Sequence, residues 1–277
     1  KEDDRVRQIT ALNAQTGPVL LTYRADDAVK AIIDEAAAGA PAYDLTADDG
    51  IGHTLWVLDD DAKIEQLNQI FDATDALYIA DGHHRSASAS RVAKENSNES
   101  AQYFLSVAFA HDEMKILDYN RVVRDLNGLS ADELLANTAA AFDLEMSAEA
   151  VRPAKPTQFG MYVNGQWYRL DVHSERVPAD DPVASLDVSL LHSNLIEPLL
   201  GISDPRRDDR IDFVGGMRGL GELEKRVDSG EMEVAFSLYP TTMEALMDVA
   251  DANEVMPPKS TWFEPKLADG LVSHVLD

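Results

Sequence analysis

Short apolar runs of the kind that make buried strands alternate with amphipathic helical segments along most of this chain. That alternation restricts it to folds in which helices pack on a sheet. "PVLLTYR" (Pro18 to Arg24) reads as a strand, and "DDAVKAIIDEAAAG" (Asp26 to Gly39) as a helix with an acidic start and a glycine stop. "HTLWVLDD" (His53 to Asp60) alternates and is expected to be a strand. In "DAKIEQLNQIFDA" the apolar residues Ile64, Leu67, Ile70 and Phe71 recur at helical spacing. "ALYIA" and "RSASASRVAKE" repeat the strand-then-helix pattern, and "YFLSVAFA" (Tyr103 to Ala110) is expected to be a core strand. The fold class this implies is α/β, or α+β with a mixed sheet.

Beyond "KILDYNRVVRDLNGLS" the pattern changes. Ser130 opens a helix with Asp132 and Glu133 in its first turn, a capping arrangement. In "TQFGMYVNGQWYRLDV" (Thr157 to Val172) Asn164-Gly165 sits between alternating apolar runs, the strongest short-range hairpin signal. "IDFVGG" with "GELEKRVDSG", and "EVAFSLYP" with "TMEALMDVADAN", add two more strand–helix pairs. No internal repeat is visible, and Pro153 and Pro156 mark a loop. The chain has 277 residues, enough for one large domain or two small ones. It opens on Lys1 rather than Met, as a piece of a longer protein would.

Fifty acidic residues against twenty-four basic ones give a formal net charge of -26. A field of that sign repels phosphate backbones and anionic membranes, so nucleic acid is a disfavoured partner. No apolar run reaches the length of a membrane helix, and no signal-peptide pattern leads the chain. The chain has no cysteine, which excludes disulfides, zinc–thiolate sites and Cys nucleophiles, and a cytoplasmic setting is expected. An anionic ligand would need a pocket where backbone N–H groups and a few cations outweigh the global field.

Such a place is expected at "ALYIADGHHRSASASRVAKE" (Ala76 to Glu95). A strand delivers Asp81 and Gly82 into a tight turn, where Gly82 permits a positive φ or close approach of a ligand. His83, His84 and Arg85 then stand at the start of a helix that Ser86 or Ser88 could cap. Free amides and the helix dipole favour an anion there, and the forked guanidinium of Arg85 suits phosphate. Asp81 is placed to hold Mg²⁺ or to take a proton from a substrate hydroxyl. Taken singly, each residue also has a structural reading: Asp81 as a cap, Arg85 in an ion pair, the histidines as turn residues. A zinc site does not fit, because adjacent histidines rarely chelate one ion and no third ligand lies at motif spacing.

These residues carry a resemblance. "IADGHHRSASA" resembles the second box of the ParB/sulfiredoxin superfamily, in which a strand runs into a turn and a helix N-terminus that binds nucleotide phosphates. The whole chain is similar to the bacterial and archaeal family catalogued as domain of unknown function number 1015. The matching strings are "KEDDR", "GHTLWV", "YIADGHHR", "ILDYNRVV", "LDVSLLH" and "MPPKSTWFEPKLADGLV", in that order. Ser86 departs from the family, which often has an aromatic residue there, and family members usually carry a further N-terminal segment. The resemblance implies a ParB/sulfiredoxin-like phosphate-binding core over residues 1–128. It also implies an α/β C-terminal region over 129–277, whose last segment (256–272) returns to the site.

In "MPPKSTWFEPKLADG" the residues alone leave two readings open: a functional cationic loop, or an aromatic anchor whose lysines snorkel. The resemblance implies that Lys259, Ser260, Thr261 and Lys266 bind phosphate or nucleotide. His53, Arg121 and Arg5 are further candidates for substrate or phosphate contact. Arg5, beside Asp3 and Asp4, also reads as part of a frayed terminus, and Arg121 as a surface ion pair. "GGMRGLG" (Gly215 to Gly221) is weak evidence for a phosphate loop.

Within the superfamily, sulfiredoxin chemistry fits poorly without a cysteine, and the partition role fits poorly without basic DNA-binding helices. The free-serine-kinase branch keeps an Asp-Gly-His-His-Arg-type turn. By that resemblance the expected activity is ATP- or ADP-dependent, Mg²⁺-assisted transfer of a phosphoryl group to a small hydroxyl metabolite, L-serine first. Asp81, His83 and His84 would be catalytic, Asp81 also a metal ligand, and Gly82, Arg85 and Ser86 would bind phosphate. The alternatives are a nucleotide sensor without turnover and a ParB-type nuclease or DNA partner. A homo-oligomer is compatible with everything above.

Overall fold

The computed structural model describes residues 2–263 and 266–277. Lys1, Glu264 and Pro265, which belong to two of the quoted strings, lie outside the described residues. The chain divides into two compact units, residues 1–114 with 265–277, and residues 115–264. The first break thus falls some residues before position 128, ahead of the strand that carries Arg121.

The first unit includes helix α1 (Glu2–Leu12), so Arg5, with Asp3 and Asp4, is on a helix rather than in a frayed terminus. Next come strand β1 (Val19–Tyr23) and helix α2 (Asp27–Ala37), capped by Asp26, whose side chain accepts from the amides of Ala28 and Val29. Strands β2 (Tyr43–Thr46) and β3 (Gly52–Leu55) form a separate antiparallel ribbon. The strand expected at His53 is therefore short and ends before Trp56. Helix α3 (Asp61–Asp72), strand β4 (Tyr78–Asp81), helix α4 (His83–Glu95) and strand β5 (Ser106–Ala110) follow.

In the three-stranded sheet β1 is central, with β4 antiparallel on one side and β5 parallel on the other. β1 is buried throughout, whereas β5 is mostly not: Phe104 and Phe109 are exposed, and the core strand expected from Tyr103 begins only at Ser106. Helices α1 and α4 pack together, with Ile9, Val92, Ala101 and Leu276 buried between them and the C-terminal residues. The C-terminal residues are tied in by a short antiparallel pairing of Ala14–Gln15 with His274–Val275.

The second unit is built on a six-stranded, wholly antiparallel sheet. Its strands are β6 (Tyr119–Val123), β7 (Phe142–Ser147), β8 (Gln158–Val163), β9 (Gln166–Val172), β10 (Ile211–Gly215) and β11 (Val234–Leu238), in the spatial order β10-β6-β11-β8-β9-β7. The β8–β9 hairpin turns at Asn164 and Gly165, both at positive φ, as a two-residue turn requires. Both faces are covered, so alternate residues feed different cores. Val123, Phe159, Met161 and Phe236 join the larger cluster, and Val122, Tyr162 and Ala235 the smaller one. This explains why β8 and β11 read as continuous apolar runs.

Helix α5 (Ala131–Thr138) has the expected capping box of Ser130 and Glu133. A longer helical run covers the large cluster: α6 (Asp187–Leu191), a π-helical segment (His192–Ile196) and α7 (Glu197–Leu200). Helices α8 (Leu220–Asp228) and α9 (Met243–Asp251) complete the unit, α8 on the face of the smaller cluster. The first two glycines of "GGMRGLG" serve close packing: a β-carbon on Gly216 would collide with the Asp118 carboxylate, and one on Gly215 would fall 3.0 Å from the Trp262 ring, whereas Gly219 and Gly221 face open space.

Candidate functional site

At the end of β4 the sheet register slips. Leu20 pairs with Asp81 but Leu21 with Ile79, leaving Ala80 as a surplus residue in a bulge. Gly82 follows at φ 97 and is the N-cap of α4, a conformation that costs glycine nothing. No side chain caps this helix. Ser86 and Ser88 donate instead to the carbonyl oxygens of His83 and His84, which corrects the expectation that either would serve as a cap. The amides of Arg85 and Ser86 donate back to the Gly82 carbonyl, which leaves those of His83 and His84 as the uncapped donors of α4, beside the exposed His83 and His84 side chains.

Arg85 lies across the turn. Its guanidinium is 3.8 Å from Asp81 Oδ2 and 3.7 Å from Asp269 Oδ1, and its side chain is 23% exposed. Both distances exceed a hydrogen bond, so neither carboxylate locks the fork. Asp81 has work of its own: Oδ1 accepts from the Gly82 amide at 2.8 Å, and Oδ2 lies 3.7 Å from Lys266 Nζ. Lys266 is thus at the turn. Arg5 and Arg85 line one small cavity of about 30 Å³ with Gln8, Thr16 and Gly17, room for roughly one ordered water. Arg5 donates to Gln8 at 2.8 Å. Asp3 is bound by Arg91, which holds its carboxyl below the usual range, and Asp4 by Arg7.

Sequence reasoning missed Asp269. It belongs to "ADG" at 268–270, a copy of "ADG" at 80–82, and both glycines have positive φ. Gly17 makes room for it, since a β-carbon there would fall 2.6 Å from Asp269 Oδ1. The repeated tripeptide is the signal that could have found it.

Lys259, Ser260, Thr261 and Arg121 belong to the second unit. Arg121 is no surface ion pair: it is 5% exposed, donates to the carbonyl oxygens of Tyr119 and Lys259, and lies 5.5 Å from the Phe213 ring centroid. Burial draws it down to about 10. The Lys259 ammonium stands 5.6 Å from the centroid of Tyr119 and 6.0 Å from that of Phe213. Trp262 closes edge-on against Tyr119 at 4.9 Å. The Ser260 hydroxyl is committed to the Pro257 carbonyl at 2.6 Å, and its own carbonyl accepts from Thr241. Within "ILDYNRVV", Asn120 donates to Asp118 at 2.6 Å and accepts from the Leu238 amide at 3.0 Å, a buried polar brace. His53 sits on the β2–β3 ribbon of the first unit, opposite Leu45.

Among the described residues no three His, Asp or Glu side chains gather as a protein-only metal cage. No helix among them is long and apolar enough to cross a membrane.

The fold and site define a mixed α/β protein with an uncapped helix N-terminus flanked by cations. The chain belongs to the family described as Protein of unknown function (DUF1015), which it matches over residues 1–189. No curated protein matches it. Solved structures similar to it include a conserved hypothetical protein from Pyrococcus furiosus (14% identity, 97% of this chain and 84% of that one, TM-score 0.43). A free serine kinase in complex with AMP is similar at 14% identity over 97% of this chain and 83% of that one, TM-score 0.43. SbnI with a C-terminal truncation, from Staphylococcus aureus, is similar at 12% identity over 98% and 78%, TM-score 0.45.

Proposed function

We propose that the Asp81–Arg85 turn binds the phosphates of ATP or ADP and that the protein transfers a phosphoryl group to a small hydroxyl metabolite, L-serine being the first candidate. The reading rests on one observation: Arg85 lies over an uncapped helix N-terminus without a close ion pair. Outward amides and a guanidinium that is not locked are what a polyphosphate needs. The small cavity beneath Arg85 holds no more than water, so phosphates would rest on the open end of α4, against the amides and rings of His83 and His84. Ser86 and Lys266 stand beside them. The kinase character comes from the resemblance of the Asp-Gly-His-His-Arg turn to that of free-serine kinases.

In such a transfer the bond from phosphorus to the leaving nucleotide oxygen breaks, a bond to the acceptor oxygen forms, and the hydroxyl proton passes to Asp81. Mg²⁺ commonly needs only one or two carboxylates beside substrate phosphates. Asp81 and Asp269, the two acids nearest Arg85, fit that requirement, and the ion would supply charge neutralisation on the transferring group. His83 and His84 would donate to phosphate oxygens.

The test is incubation of the protein with nucleotide, Mg²⁺ and L-serine, with phosphoserine as the readout and Asp81→Asn as control. Phosphoserine formation lost in Asp81→Asn supports the kinase. ADP binding by calorimetry without any product would leave a nucleotide sensor, and absence of both would end the reading.

A further inference from the structure

The second unit contains a cavity of about 650 Å³, bounded by Arg121, Ser189, His192, Ser193, Arg206 and Phe213. Its volume is that of a small-molecule site, which runs from about 300 to 1,000 Å³. Val188, Ile196 and Met256 give it an apolar wall.

Two independent features point to a ligand. Arg121 is buried with no carboxylate partner among the described residues, and only two backbone carbonyl oxygens accept from it. Carbonyl oxygens carry partial charge, so a full positive charge stays uncompensated in a chain with fifty acidic residues. Arg206 differs, because Asp204 holds it at 2.9 and 3.1 Å and also meets Arg207 at 3.6 Å. Arg206 is therefore already ion-paired.

The second feature is His192. Its Nδ1 is buried without a hydrogen-bond partner among the described residues, while Nε2 lies 4.0 Å from Glu197. His192 also opens the π-helical segment, and such segments, inserted into otherwise α-helical runs, occur frequently at functional sites. Ser189 and Ser193 flank it on the same helical run and bring hydroxyls to the same wall.

We propose that this cavity binds a small organic acid, with a carboxylate or phosphomonoester head on Arg121 and an apolar body against Val188, Ile196 and Met256. His192 and the two serines supply the remaining polar contacts to the head. Arg121 is the buried cation of this wall, and none of the residues used here belongs to the Asp81–Arg85 turn, so this proposal is independent of the nucleotide reading.

The probes are phenylacetate, phenyl phosphate and the neutral phenylacetamide, titrated calorimetrically into the full chain and into Arg121→Gln and Ser193→Trp. Expected is saturable binding of at least one anion, none of the amide, and a loss of about tenfold or more in both variants. Phenylacetate alone would assign carboxylic acids, and phenyl phosphate alone phosphomonoesters. Ser193 is exposed, so its replacement obstructs the cavity without touching the core and decides the matter where Arg121→Gln fails to fold. Failure of both anions to bind, equal binding of the amide, or undiminished binding in Ser193→Trp would overturn the proposal. ADP titrated into the same variants and into Asp81→Asn reports on the nucleotide reading separately.

Discussion

Arg85 Nε lies 2.9 Å from the position that a β-carbon on Gly82 would occupy. The guanidinium is therefore folded against a backbone that only glycine leaves open, at a φ of 97 that L residues rarely adopt. Gly82→Ala should displace Arg85 and strain the turn by about 1–3 kcal/mol. The expected result is a melting temperature lowered by several degrees and an ADP affinity reduced about tenfold or more, near 1.4 kcal/mol. An unchanged affinity would separate the turn from nucleotide binding.

Arg85→Lys keeps the charge but loses the planar fork. Its affinity for ADP should fall between those of the parent and Arg85→Ala, and calorimetry at fixed ionic strength measures the order.

Asp269 competes for Arg85 at 3.7 Å from the half-exposed side of the turn. Asp269→Asn should raise the affinity for metal-free ADP by about two- to fivefold, the scale of an exposed ion pair. The same variant should lose part of the gain that Mg²⁺ brings, if Asp81 and Asp269 hold the ion together. Paired titrations with and without Mg²⁺ check both signs.

Asp187 gives a pH dependence. Its Oδ1 accepts from the Thr157 amide at 2.8 Å, while Oδ2 is buried without a partner among the described residues. Desolvation pushes the carboxyl from 3.8 up to about 7, against the opposing effect of that hydrogen bond. Between those values the folded chain keeps a proton that the unfolded chain releases. Stability therefore falls as pH rises through this window and levels off above about 7, by at most about 4 kcal/mol. In Asp187→Asn this slope should vanish, so urea midpoints of the two proteins should diverge with rising pH and then run parallel.

Asn120→Ala would orphan the Leu238 amide and strip Asp118 Oδ2 of its donor, leaving that carboxylate only Arg152 at 3.6 Å from Oδ1. Unsatisfied buried groups cost about 1–3 kcal/mol each. A loss of about 2–4 kcal/mol in chemical denaturation is expected, with the secondary structure retained.

Features set by neighbouring residues are legible in the sequence itself. Ser130 and Glu133 cap each other across three positions, Asn164-Gly165 turns a hairpin, and Gly82 takes the positive φ that the strand-to-helix junction demanded. The order of strands and helices followed for the same reason. What escaped depends on residues far apart. Nothing local to Arg121 shows that it is buried, since that depends on β10 and β11 pairing on either side of β6. The partner of Arg85 at Asp269 lies 184 positions along the chain and is set by the return of the C-terminal residues. The antiparallel order of the large sheet was hidden because strands buried on both faces read like those of a parallel one. Tyr103 and Phe104 have the composition of a core strand, but the ladder with β1 starts at Ser106.

The surplus Ala80 has a consequence for how this turn can diversify. Because the irregularity absorbs one residue between Ile79 and Asp81, the tip of the strand is decoupled from the ladder that anchors its base. Substitutions at the tip can re-aim its side chains while Tyr78 and Ile79 hold their places against β1, so the turn can change character without re-registering the sheet.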